Sequence, residues 1–208
     1  MKATKLIGML SFMLMLMTAN FVKAQDDEKN VIKDFSGLTL DQLQQHRSQL
    51  LALSTSDDYQ KKVSKMEDAN VPKDSGIESV DKIAAMLGKM ISKVHDNRAA
   101  LTSMYSGVTG NNMDGTKATA TVVDQQQMNT LVSMLTQMSG DIISTAKSLV
   151  DLPGEIKSAG PLKAIKGLKS LMYIKNAVSA LKSELQYNSQ MAQNLMATQK
   201  LMAENTGK

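Results

Sequence analysis

The sequence has no cysteine, no tryptophan and only three prolines in 208 residues. Without cysteine there are no disulfides and no thiol chemistry, so stability has to come from packing. Aromatic residues make up 3% of the chain. That leaves little to fill a β-sandwich or barrel, and little to stack on nucleic-acid bases. Histidine occurs twice, as His46 and His95. Neither has a second His or a carboxylate at the spacing that sets a metal pair on one helix face. There is no Gly-rich phosphate loop and no Ser elbow. The carboxylates lie in polar stretches rather than in apolar ones that would raise their pKa. The sequence therefore predicts no enzyme, no catalytic residue, no metal and no cofactor.

Long apolar runs are also scarce, with one exception at the start. Lys2 and Lys5 precede the apolar run Leu6–Met17, and Val22-Lys23-Ala24 follows, ahead of the acidic Asp26, Asp27 and Glu28. A basic start, a short apolar core and a small-residue site predict a secretory signal peptide over 1–24, cleaved after Ala24. The run is shorter than the roughly 18 residues a spanning anchor needs. The expected location is periplasmic or extracellular. Three lysines precede residue 25, so cleavage lowers the formal charge from +4 to +1. The basic balance of the whole chain is thus largely a leader effect and predicts no nucleic-acid partner.

What is present favours helices. Methionine is abundant, with 17 residues in the chain, and Ala, Leu, Ser, Gln and Lys supply much of the rest. Straight-chain residues lose little on entering a helix, and Met fills irregular helix–helix seams. Its even spread argues for packing rather than a clustered copper site. Residues 25–37 read as a flexible lead-in. A single helical domain follows over 38–208, with helices expected at about 39–68, 79–106, 122–152 and 161–205. Thr39 and Gln42 form a capping-box signature. The polar run Ser54–Asp58 interrupts the first helix, as a kink or as a break into two. Ser79 reads as the N-cap of the second helix and Gly107 as its stop. Pro153-Gly154 reads as the end of the third.

Three seams alternate by threes and fours. The second helix carries Val80, Ile83, Leu87, Met90, Val94, Asn97, Leu101 and Met104. The third carries Met128, Leu131, Leu135, Met138, Ile142, Thr145, Leu149 and Leu152, widened by Val132, Met134 and Ala146. The fourth carries Leu171, Ile174, Val178, Leu181, Leu185, Asn188, Ala192, Leu195, Gln199 and Met202, with Ile165, Leu168 and Met172 broadening the apolar face at its opening turns. The fold expected is all-α, an elongated antiparallel bundle of three to four long helices with coiled-coil-like heptad seams.

Two sets of residues stand out as candidates for a role. Asn97 and Asn188 occupy seam positions, where a polar residue either fixes register or meets solvent; facing each other, they would align the second and fourth helices. Gln199, near the end of its helix, is expected in solvent. The stretch 157–182 has six lysines and no acid. Lys163, Lys166, Lys169 and Lys175 are the candidate contacts to an anionic surface, with the first three expected opposite Ile165, Leu168 and Met172.

The leading expectation is an exported, non-enzymatic helical scaffold or protein-interaction protein of the cell envelope or exterior. An accessory part of a secretion or conjugation apparatus is one such setting. In architecture, the Gln-, Met- and Ala-rich helices resemble those of exported minor subunits of such machines, with no motif carrying the likeness. The alternatives are weak association with an anionic membrane surface or polyanion through 157–182, and a periplasmic holdase chaperone. The polar loops disfavour a pore.

Overall fold

The computed structural model describes residues 31–32, 34–67 and 70–206. The leader 1–24 and most of the lead-in lie outside the described residues. Within them the chain forms six helices: α1 (Leu40–Ser54), α2 (Asp57–Glu67), α3 (Glu78–Thr109), α4 (Gln125–Ser148), α5 (Leu152–Ser158) and α6 (Pro161–Thr206). No strand occurs among the described residues; the only sheet-like contact there is an isolated bridge between Asn111 and Lys117.

All of the other helices pack against α6, and the outer helices touch one another much less. At 46 residues it extends about 69 Å at 1.5 Å per residue. Gly160, with φ of 86°, turns the chain, and Pro161 then opens the helix, where its missing N–H costs nothing. The α3 helix runs parallel to it: Ile77 lies beside Gly167, Gly88 beside Tyr173, and Arg98 beside Glu184. The α1–α2 pair runs the other way, from Arg47 at Asn194 to Tyr59 at Glu184. So does α4, whose lead-in residue Val123 meets Gln199 while Ile156 of α5 reaches Gly167.

Two adjacent rows of α6 are buried. Leu171, Ile174, Val178, Leu181, Leu185, Asn188, Ala192 and Leu195 form the expected one, which ends with Gln199 half-buried and Met202 exposed. One position earlier runs Ser170, Tyr173, Ala177, Ala180, Glu184, Tyr187, Met191, Asn194 and Thr198, also entirely buried. It keeps the same three-four spacing. Polar and small members hide this second row from a search for apolar periodicity.

Several local expectations change. The first predicted helix is two, because the hydroxyls of Ser54, Thr55 and Ser56 bond to the carbonyls of Leu51, Ala52 and Leu53 and so offer them an alternative to the helix ladder. The capping box of Thr39 and Gln42 is present. Ser79 is not the N-cap of α3. That helix starts after Ile77, and Asp81 reaches back to accept from the Ser75 and Gly76 backbone N–H groups at 2.8 and 3.0 Å. Gly107 does not stop it either: Gly110, at φ 67°, does. Gly107 instead lets the returning loop cross closely, with Thr121 N–H donating to its carbonyl at 2.8 Å. Pro153-Gly154 opens α5 rather than closing α4, which ends at Ser148.

Some side chains also face other than expected. Met134 is exposed. Ile165 and Met172 are 46% and 49% exposed, on the outside of α6 rather than in its core. Phe35, at the end of the lead-in expected to be flexible, is buried with its ring edge against His46 at a 5.4 Å centroid distance.

A Cβ on Gly167 would come within 2.8 Å of Ile77 and 3.1 Å of the fully buried Ile156. The substitution Gly167→Leu should lower stability by about 1–2 kcal/mol, overpacking at that contact outweighing about 0.8 kcal/mol of helix propensity. Urea unfolding measures this; an unchanged midpoint would show that α3 and α5 do not meet α6 so closely.

Candidate functional site

The second row of α6 turns the side chains most capable of chemistry inward. Glu184 is the clearest case: its residue is 0% exposed. One carboxylate oxygen, Oε1, accepts from Tyr59 Oη on α2 and from Arg98 Nη2 on α3, both at 2.6 Å. Arg98 also pairs with Glu67 at 3.3 Å. Three helices are thereby held at one carboxylate. Burial works against the charge on Arg98, but the Glu184 carboxylate beside it holds its pKa above the ordinary value. Burial, and then the negative charge of Glu184, push the Tyr59 phenol far above its usual range, so it stays a donor. The Tyr59 ring also meets Tyr187 edge-on at 5.8 Å. Sequence reasoning placed every carboxylate in a polar setting and so missed Glu184. Its signal was position, three residues after Leu181 and three before Tyr187.

A second polar cluster lies toward the C-terminal end of α6. Arg47 Nη1 on α1 donates to Asn194 Oδ1 at 2.7 Å and to Thr198 Oγ1 at 2.5 Å. Asn194 Nδ2 donates to the Leu43 carbonyl at 2.9 Å and lies 3.1 Å from His46 Nδ1. With Nδ1 accepting, the His46 proton sits on Nε2, which is buried without a partner among the described residues. Burial first, and the neighbouring Arg47 charge second, lower the His46 pKa. The Arg47 pKa is lowered too, by burial, with Tyr105 opposing.

Two glutamines of α6 act as backbone clamps. Gln190 accepts from Ile32 N–H and donates to Ile32 C=O, each at 3.0 Å. Gln199 does the same for Val123, at 3.2 and 2.7 Å. Each amide supplies one donor and one acceptor, as a neighbouring strand would. Gln199 is therefore engaged rather than left to solvent, which corrects the expectation drawn from its place near the chain end.

The sequence candidates fall into separate places. Asn97 and Asn188 are both buried. Asn97 Nδ2 points to Met138 Sδ on α4 at 3.6 Å, and neither polar atom of the Asn188 amide has a partner among the described residues. No hydrogen bond joins the two there. Lys163, Lys166 and Lys169 are exposed and Lys175 is half-buried; burial lowers the Lys175 pKa. Among the described residues no group of three or more His, Cys, Asp or Glu could hold a metal ion. Two shallow, open depressions lie at the start of α1, one of about 410 Å³ between Gly37–Asp41 and Leu201.

Replacing Arg98 by Met leaves Glu184 buried and without its cation. Removing one partner of a fully buried pair costs about 3–5 kcal/mol; with Arg98 37% exposed, solvent reduces this to about 2–3 kcal/mol. Adding Glu184→Leu should recover much of that loss, and a double-mutant cycle that is additive would deny the coupling. A second outcome concerns pH. The folded state holds His46 below its unfolded pKa of about 6.5, so folding favours the neutral ring. That contribution is present above about pH 6.5 and is lost as pH falls through the lower folded value. Urea midpoints should therefore drop on acidification from neutral, and less so in His46→Phe.

No family model, curated protein or solved structure matches the chain, so what it does has to be read from the arrangement of its own residues.

Proposed function

We propose that this chain is an exported, non-enzymatic scaffold of the cell envelope or exterior, acting through protein–protein contacts on its outer helix surfaces. In this reading the leader directs it to the periplasm or beyond, and it serves as an accessory part of a secretion or conjugation apparatus. Its helices form one elongated antiparallel bundle with heptad seams.

The observation that carries this reading is how the polar interior is used. Glu184, Arg98 and Tyr59 join α2 and α3 to α6. Arg47, Asn194 and Thr198 join α1 to it, while Gln190 and Gln199 bind backbone outside the helices. The hydrogen bonds these groups make go to the fold rather than to a substrate, and Glu184 Oε2 is buried without a partner among the described residues. What remains outside includes the apolar side chains of Val122, Met134 and Ile143, which are exposed to a partner.

The test is photo-crosslinking in the native cells, with a crosslinking residue placed singly at Val122, Met134 and Ile143. Discrete adducts with one envelope or extracellular protein are expected, on a chain whose intact mass shows it to begin at Gln25. A retained leader, or no adduct at any of the three positions, would overturn the reading.

A further inference from the structure

The opening turns of α6 present a face that neither the core nor the polar clusters use. Leu162, Ile165 and Met172 are 81%, 46% and 49% exposed, and Lys166 and Lys169 are exposed with them. At about 100° per residue these five side chains share an arc of about 120° around the helix. Met172 and Ile165 lie on one side, Lys169 and Leu162 in the middle, and Lys166 at the other edge. Lys163 flanks the arc, its aliphatic stem lying over Gly76. Lys166 and Lys169 therefore share a face with exposed apolar side chains, instead of opposing a buried stripe.

Charge distinguishes this patch from ordinary solvated surface. No acid occurs in α6 before Glu184, and Lys163, Lys166 and Lys169 form no ion pair among the described residues. Acids of the neighbouring segments are engaged elsewhere. Glu78 pairs with Lys82 at 2.6 Å, Asp81 accepts from Ser75 and Gly76, and Glu155 accepts from Ser79. Asp74 and Asp151 remain, offset by Lys73 and Lys157.

We propose that this face of α6 docks on an anionic lipid surface, with Leu162, Ile165 and Met172 entering the headgroup boundary and Lys166 and Lys169 meeting the lipid phosphates. Apolar side chains flanked by long lysines suit that boundary, since the stems lie along the apolar layer while the ammonium groups reach the headgroups. The contact is parallel to the surface: no described helix is long and apolar enough to cross a membrane. With three apolar residues and two charges it is reversible, and it weakens with salt. It is independent of the scaffold reading, because the patch does not include Val122, Met134 or Ile143.

The test is co-sedimentation of the chain, purified from the cells that make it, with vesicles of phosphatidylcholine with or without phosphatidylglycerol. Binding to the phosphatidylglycerol vesicles alone is expected, falling as salt is raised. The variants K166E/K169E and I165S/M172S should each weaken it by about tenfold or more, with thermal unfolding monitored by circular dichroism to show that both remain folded. Equal binding to both vesicle types would overturn the proposal. So would no binding to the anionic vesicles, or binding that either folded variant leaves unchanged. Lys62→Glu and Lys65→Glu on α2 serve as a charge control: an equal loss there would show that net charge, not this face, is responsible.

Discussion

The structure depends on the burial of α6 along two adjacent rows at once. A helix of this length is not stable by propensity alone, and most of its stability must come from faces covered by neighbours. One row is almost wholly apolar and is the kind of surface that any amphipathic helix can cover. The other carries Glu184, Asn194, Thr198 and Tyr187, and only partners with the right donors and acceptors can cover it without a desolvation cost. That requirement selects Tyr59 and Arg98 at one level and Arg47 at another.

Polar atoms thus set position where apolar ones set attraction. An apolar seam tolerates sliding by a turn, since Leu, Val, Ile and Met exchange neighbours at modest cost. Glu184 does not tolerate it: displaced by one turn from Arg98, its carboxylate would be buried with no cation. The glutamine clamps extend the same logic to non-helical chain. Ile32 and Val123 each have their backbone N–H and C=O bonded by one side chain, so these non-helical residues can lie on a helix surface with their polar groups satisfied.

With its polar chemistry turned inward, the outer surface is what remains for recognition, and it is uneven. Most of it mixes charges of both signs, while the first turns of α6 combine lysine with exposed Leu162, Ile165 and Met172. These residues gain exposure because Ala164, Gly167, Ser170 and Leu171 carry the buried side of the same turns. Gly167 matters here for its lack of a side chain, since Ile77 and Ile156 occupy the space a Cβ would need.

Helix type and most of the core were legible in the residues. The seams of α3 and α4 are buried at nearly every expected position, because apolar spacing of three and four dictates one buried stripe whatever covers it. The Thr39–Gln42 box was equally local, its partners being three residues apart. Glu184, Asn194 and Thr198 were not legible, although their spacing was regular. Whether a polar residue at such a spacing is buried depends on a partner far away in sequence, here Arg98 or Arg47. Ile165 and Met172 failed in the opposite sense: their apolarity suggested a core, but the side of α6 they occupy is one that no neighbouring helix covers. The sequence by itself determined the helices and the apolar stripes, which follow from local geometry. Tertiary structure alone decided which polar groups were enclosed and which apolar ones were left outside, because both outcomes turn on contacts between distant segments.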